Sequence, residues 1–297
     1  MLDDARLLSN PAADSRNSEH LPARDSFLAH HFDTPAQQFD AGKLGVWLFL
    51  MTEVLFFAGP FCAYAIYRVN RPEVFDWSHY FLSTKLGALN TCVLLVSSLT
   101  AACAVRFAQR GERRLLLGAI FATLVCSLGF LGIKAVEYSA KFEEGLLPGA
   151  HFNPREHVWE LPSFARAHPA AARYAELLTA RARDFTPNTV REPLPPPTRE
   201  ALEPLLHAGV LGRTAEFATL PSRPQNAHVF FGIYFFMTGL HGLHVLGGAA
   251  VWAWLFVRAS RGVFGPRYFG PVDFAALYWH FVDLIWIYLF PLLYLIH

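Results

Sequence analysis

Six ionisable side chains of this sequence fall within or beside long apolar stretches. These are Glu53, Glu137, His241, His244, His280 and Asp283. Carboxyl and imidazole groups bind and release protons, and imidazole also ligates metals and haem iron. An ionisable residue inside a membrane span points to function by default. The sequence therefore makes Glu53 a candidate for proton handling and the other five candidate buried polar groups, and we assign no catalytic residue and no metal ligand.

Glu53 is the most informative of the six. It is the only charged residue in the 24 residues from Leu44 to Tyr67, and a helix of that length covers roughly 36 Å, enough to cross a hydrocarbon core. Glu53 lies roughly 13 Å along that helix, where an ionised carboxylate costs on the order of 3 kcal/mol. The carboxyl must therefore keep its proton or face a polar partner. A structural hydrogen bond and a proton-handling role both fit these facts.

The histidines occur at short, repeated spacings. His241 and His244 are three residues apart and share one helix face, and His280 and Asp283 have the same spacing. We expect His280 and Asp283 to hydrogen-bond each other, because pairing lowers the cost of burying both. Haem ligation is the alternative, and it needs His280 opposite His241 or His244, since two histidines on one turn cannot serve both faces of a haem. Hydrogen bonding between helices is the interpretation that we favour.

Five apolar stretches hold these side chains, and each is long enough to cross a membrane. They are residues 44–67, 86–107, 115–133, 228–257 and 272–296. The predicted organisation is a polar segment (1–42), three spans (43–139), an inserted proline-rich loop (140–226) and two spans (227–297). Residues 68–85 are predicted to be a short loop, and the insertion holds two candidate amphipathic helices, 170–184 and 199–207. The predicted fold is an all-α polytopic membrane helix bundle with five transmembrane helices and a long proline-rich extramembrane loop.

The composition agrees with a membrane protein. Hydrophobic residues are 53% of the chain and charged residues 16%, whereas soluble chains carry about 25% charged residues. A net charge of +1 without a basic tract gives no indication of nucleic-acid binding. The four cysteines lie in apolar runs and form no CxxC pair, so we expect them to pack between helices. Arginine-rich second and fourth connections predict a cytoplasmic N-terminus and an outer C-terminus.

Five segments match one protein family in order along the chain. They are KLGVWLFLMTEVLFF, LNTCVLLVSSLT, KAVEYSAKFEEG, FFMTGLHGLHVLGG and DFAALYWHFVDLIWIYLFPLLYL. With them the chain resembles subunit III of the haem–copper oxidases, and HHFDTPAQQFDAGK resembles the lead-in of bacterial members. The resemblance covers all five spans and identifies Glu53 with the family's buried glutamate. It also places the other five ionisable residues at family motif positions.

The resemblance implies a non-catalytic subunit of a terminal oxidase that reduces oxygen to water and pumps protons in a bacterial inner membrane. Haem and copper belong to partner subunits in that family, so the resemblance implies no redox centre or other cofactor in this chain, and it implies bound phospholipid. The implied partners are subunit I as the main contact, subunit II, membrane lipids and other respiratory subunits. The implied work is to hold lipids in a cleft between two helix groups and to support proton uptake, with cytochrome c or quinol as electron donor.

This sequence departs from the family in two respects. The longer family members begin with two further helices, which another subunit would have to supply here, and residues 140–226 are much longer than the usual connection.

The rivals are a related subunit of a nitric-oxide-reducing complex, a haem-carrying membrane cytochrome and a stand-alone proton channel. Co-purifying subunits, a haem spectrum of the isolated chain and proton flux in liposomes would distinguish them.

Overall fold

The structure is a computed structural model that describes residues 28–183, 196–211 and 222–296. The described residues contain nine α-helices and no β-strand. In chain order the helices are α1 (Pro35–Asn70), α2 (Pro72–Ser78), α3 (Thr84–Arg110), α4 (Arg113–Glu143), α5 (Pro162–Ala167), α6 (Pro169–Arg183), α7 (Arg199–His207), α8 (His228–Ser260) and α9 (Gly270–Tyr294). Five of them, α1, α3, α4, α8 and α9, are long and apolar enough to cross a membrane. This confirms the predicted all-α membrane bundle.

Several helices extend well past the predicted spans. The first begins at Pro35 rather than near position 44, because Thr34 caps it by accepting a hydrogen bond from the Gln37 N–H (3.2 Å). The third predicted span continues as α4 to Glu143. Lys134 and Glu137, interpreted from the sequence as the far end of that span, therefore lie inside the helix and are buried.

Four of the long helices form the centre of the bundle. Helix α3 packs against α4 and α9, and α8 packs against the same two helices, so α3 and α8 stand on opposite corners of a square. Helix α1 lies outside this square against α8 and α9. Only 11% of the apolar stretch of α1 is buried, compared with 50% for α9. Its buried side chains, Leu50, Phe57 and Tyr64, repeat every seven residues and form one narrow seam.

The two ends of the bundle differ in structure. At one end, here called the arginine end, α3 turns into α4 at Gly111 (φ 72°), a left-handed position that suits glycine. The opposite end, here called the cap end, carries α2 and the insertion with α5, α6 and α7. The predicted loop 68–85 was wrong, because Pro72 begins a helix whose Val74, Phe75 and Trp77 are buried against the bundle. The two helices predicted in the insertion are present as α6 and α7.

The cysteines only partly follow the expectation that they pack between helices. Cys103 and Cys126 are half-buried, in agreement with it. For Cys62 and Cys92 the expectation was wrong, because both are exposed on the surface of this chain. Their helix faces point away from the bundle, towards lipid or another subunit.

Close packing between α8 and α9 depends on Gly248. A Cβ there would lie 2.6 Å from the ring of Trp279, which is fully buried and held because its Nε1–H donates to Ser97 Oγ (2.9 Å). We expect Gly248→Val to destabilise the assembled protein by about 1–3 kcal/mol, as overpacking does. Thermal unfolding measures this, with Gly118→Val as the control, because a Cβ at Gly118 meets nothing within 4 Å. Equal losses in both variants would contradict the prediction.

Candidate functional site

The structure joins Glu53 on α1 to His244 on α8. Glu53 Oε2 lies 2.9 Å from His244 Nε2, and both side chains are about one-sixth exposed (16% and 17%). The other ring nitrogen, Nδ1, is 2.9 Å from the backbone carbonyl of Leu240, one turn earlier on the same helix. Glu53 thus meets the requirement for a polar partner, and the partner is a histidine 191 residues away in the sequence.

The bonds around His244 fix how many protons the pair carries. A carbonyl oxygen only accepts, so Nδ1 must hold a hydrogen and donate it to Leu240. The contact between His244 Nε2 and Glu53 Oε2 then needs one further proton, either on the imidazole as an ion pair or on the carboxyl as a neutral pair. The pair therefore shares a single proton that can sit on either partner.

Other polar contacts hold α1 to the bundle, and one of them joins the Tyr67 hydroxyl to the Asn226 carbonyl just before α8 (3.4 Å). At its arginine end Lys43 Nζ lies 3.5 Å from Asp273 Oδ2 at the start of α9. At its cap end the Tyr64 hydroxyl donates to the Leu292 carbonyl, and Arg68 donates to the same hydroxyl (3.1 Å). Together with the Glu53–His244 pair between them, these contacts attach α1 to α8 and α9 near both of its ends and near its middle. Most of the apolar surface of α1 remains exposed.

Glu137 lies in a second polar cluster, between α4, α8 and the last turn of α9. Lys134 Nζ donates to Glu137 Oε2 (2.9 Å) and to the hydroxyls of Tyr234 and Tyr294 (both 3.1 Å). The same two hydroxyls lie 2.9 and 2.7 Å from Glu137 Oε1. We call these four residues the Lys134–Glu137 network.

Every polar group of this network has partners although it is buried. Lys134 and Glu137 are 6% and 2% exposed, yet the three ammonium hydrogens have three acceptors and both carboxylate oxygens accept. The Lys134 charge also lies 5.1–5.8 Å from four aromatic ring centres. Lys134, Tyr234 and Tyr294 were not predicted as site residues from the sequence. The available signal was a lysine three residues before the glutamate, on the same helix face.

The remaining predicted residues lie in the four-helix centre, but not as paired groups. The expected bond between His280 and Asp283 was wrong, because His280 Nδ1 bonds Ser98 Oγ at 2.6 Å. Ser98 also lies beside the Asp283 carboxyl, but this contact lacks hydrogen-bond geometry, and neither Asp283 oxygen has a hydrogen-bond partner among the described residues. His241 is fully buried between the rings of Phe130 and Trp286 (5.4 and 5.2 Å). No three potential metal ligands converge in the described part of the chain.

An apolar groove runs between α1 and α8 towards the cap end. Its volume is about 760 Å³, including space open to the surroundings. Its lining is contributed by Gly59, Pro60 and Ala63 of α1, by Pro148, and by His228, Val229, Gly232, Ile233, Phe236 and Met237 of α8. Small residues on α1 and flexible apolar side chains on α8 give a surface suited to an acyl chain.

Histidines also tie the insertion to the body of the protein at the cap end. His207 Nδ1 of α7 lies 2.9 Å from Asp76 Oδ2 of α2. His168 Nε2, between α5 and α6, lies 2.9 Å from the Tyr80 hydroxyl. Burial lowers the pKa of His168, which favours a neutral ring that accepts the Tyr80 hydrogen. The insertion is thus a docked part of the fold.

Comparison with known proteins gives one family for the whole membrane part. The family model described as "Cytochrome c oxidase subunit III" matches residues 23–143 and 216–297, more than half of the chain. The intervening residues 144–215, which form most of the cap-end insertion, lie outside the match.

Individual relatives agree with the family match. The "Cytochrome c oxidase subunit 3" of Bos taurus is 26% identical over 275 residues, covering 91% of this chain and 74% of the bovine protein. The "Probable cytochrome c oxidase subunit 3" of Mycobacterium bovis is 36% identical over 89 residues. That match covers 29% of this chain, and the chain spans less than half (44%) of the mycobacterial protein.

Proposed function

The chain belongs to the cytochrome c oxidase subunit III family, and on that premise we propose that it is the subunit III of a haem–copper oxidase that passes electrons from cytochrome c to oxygen. The observation that carries the proposal beyond family membership is the Glu53–His244 pair. One exchangeable proton is held there, inside the membrane span and at the edge of the bundle. Haem and copper lie in the partner subunits in this proposal, and this chain supports proton uptake and the stability of the catalytic subunit.

The surface of α1 supports a large protein partner. Ten large apolar side chains of this helix are about half or more exposed (46–82%), a surface that a partner subunit can cover. They are Leu44, Trp47, Leu48, Phe49, Met51, Val54, Leu55, Phe56, Ile66 and Val69. We propose that subunit I is the main contact, with subunit II and other respiratory subunits as further neighbours, so that a partner supplies the two helices that longer members carry.

The groove between α1 and α8 supports phospholipid as the bound cofactor. Its lining is almost entirely apolar, which suits acyl chains. The protein is a multi-pass membrane protein. We propose a bacterial inner membrane with the arginine end in the cytoplasm, because positively charged short loops stay inside. The N-terminus is then cytoplasmic and the C-terminus outside.

Native mass spectrometry of the complex purified through a tag on this chain tests the proposal. The expected result is one copy of this chain with haem- and copper-containing subunits, and phospholipid that stays bound after detergent removal. A variant with Gly232→Phe, which fills the groove, is expected to lose that lipid but keep the subunits. Purification of this chain alone, or with its own haem absorbance, would contradict the proposal and favour the channel or cytochrome alternative. Recovery with a nitric-oxide-reducing partner would favour the rival function as a subunit of such a complex.

The haem alternative has little support from the histidine geometry. Both ring nitrogens of His244 are engaged, by Glu53 and by its own helix. His280 bonds Ser98 through Nδ1, and His241 is enclosed by two aromatic rings. An axial haem bond from His244 or His241 would have to displace these contacts, whereas the His280–Ser98 bond leaves Nε2 of His280 available.

A further inference from the structure

Three polar side chains at the centre of the square have no hydrogen-bond partner among the described residues. Both side-chain polar atoms of Asn90, His241 and Asp283 are in this state, six atoms in all. The residues are 0%, 0% and 3% exposed. Buried polar groups in proteins are nearly always hydrogen-bonded to protein or to ordered water, because leaving one unpaired costs the full desolvation of that group. Six such atoms in one region therefore indicate a bound polar ligand.

Each of the three residues is connected with one fully buried side chain, that of Trp286. Its indole N–H donates to Thr91, the neighbour of Asn90 on α3, and the ring packs on His241 of α8. Asp283 is one turn before Trp286 on α9. Asn90 and His241 come from α3 and α8, the opposite corners of the square, and both lie roughly 30 Å from the arginine end at about 1.5 Å per residue.

Asp283 lies nearer the arginine end than Asn90 and His241 do, in the same polar region. It lies roughly 20 Å from the arginine end, level with Ser98 on α3 and Cys126 on α4. Level with Asn90 and His241, Lys134 lies 5.3 Å from the Trp286 ring centre. Polar groups thus follow one another through the centre, from Asp283 past Asn90 and His241 to the Lys134–Glu137 network.

We propose that the centre of the four-helix square binds a cluster of water molecules held by Asn90, His241 and Asp283. Water fits the chemistry better than an ion, because the three residues offer donors and acceptors together and enclose no set of convergent charged ligands. The cluster links the middle of the membrane to the Lys134–Glu137 network. It is separate from the Glu53–His244 pair, which lies on the outer seam of α1.

Radiolytic labelling of the purified complex tests the proposal. A short X-ray pulse turns bound water into hydroxyl radicals that oxidise adjacent side chains, including those that bulk solvent does not reach. Trp286 (0% exposed) is the reporter, and Trp252 (1% exposed), three turns nearer the arginine end on the helix of His241, is the control. We expect severalfold more oxidation of Trp286 than of Trp252, measured by peptide mass spectrometry. Equal background labelling of both would overturn the proposal.

Variants then assign the water to the three side chains. The double substitution Asn90→Leu with His241→Phe removes four of the six polar atoms and is expected to lower Trp286 labelling to the level of Trp252. Asp283→Asn keeps a polar side chain of the same size and is expected to preserve the labelling. Unchanged labelling in the double variant would show that other groups hold the water and would overturn the assignment. If the double variant does not assemble, the wild-type comparison still decides whether the centre is hydrated.

Discussion

Replacing Lys134 by methionine is expected to cost the assembled protein roughly 3–5 kcal/mol, the size measured when one partner of a buried ion pair is removed. Methionine fills similar space but leaves the Glu137 carboxylate, 2% exposed, without its cation. Because Tyr294 is in the last turn of α9, loss of the network also loosens the attachment of that helix to α4. We expect the subunit to be lost from the purified complex or to unfold at markedly lower temperature.

The double variant makes this prediction specific to the pair. Glu137→Gln alone leaves the ammonium of Lys134 without its carboxylate and is expected to be as harmful as Lys134→Met. The combination of both changes removes the two charges together and is expected to be milder than either single change, since neutral replacement of a whole buried pair is often tolerated. Lys85→Met, at an exposed lysine near the start of α3, is the matched control. Losses that simply add in the double variant would show that the two charges are not energetically coupled.

The Lys134–Glu137 network also explains a limit of sequence reasoning. The five spans were predictable, because long apolar stretches leave few alternatives to a membrane helix. The end of the third span was misplaced by ten residues, because charged residues were interpreted as the edge of the membrane segment. Two tyrosines from α8 and α9 satisfy those charges inside the bundle. Nothing local to residues 134–143 reveals that these partners exist.

The hydrogen-bond partners of the predicted site residues were harder to predict from the sequence than the spans in which these residues lie. Spacing of three residues placed His280 and Asp283 on one helix face, but the bond went to Ser98 of another helix. His241 and His244 also share a face, yet His244 pairs with Glu53 and His241 has no hydrogen-bond partner among the described residues. Contacts between helices decide these outcomes, and they depend on the rotation of each helix, which apolar sequences specify only weakly.

Glutamine at position 53 is expected to separate the two roles of the Glu53–His244 pair. His244 donates from Nδ1 to Leu240, so its Nε2 is a free acceptor when the ring is neutral, and a glutamine amide can donate to it. Glu53→Gln therefore keeps the hydrogen bond that holds α1 but removes the carboxyl that shares a proton. We expect the subunit to stay in the complex, with a loss of stability below about 1 kcal/mol, while the oxidase loses activity sooner during continuous turnover.

Leucine at the same position is the comparison that makes the result interpretable. Glu53→Leu removes both the hydrogen bond and the proton, and leaves His244 Nε2 unpaired at a cost of about 1–3 kcal/mol. Because few other polar contacts join α1 to the rest of the described protein, chiefly Lys43–Asp273 and Tyr64–Leu292, we expect this variant to lose α1 packing as well as turnover lifetime. Retention of the subunit and the number of turnovers before inactivation are the two measurements. If the glutamine variant lost the subunit as readily as the leucine variant, the carboxyl itself would be needed to hold α1. If the glutamine variant stayed active during turnover as long as wild type, the shared proton would have no part in the work of the complex.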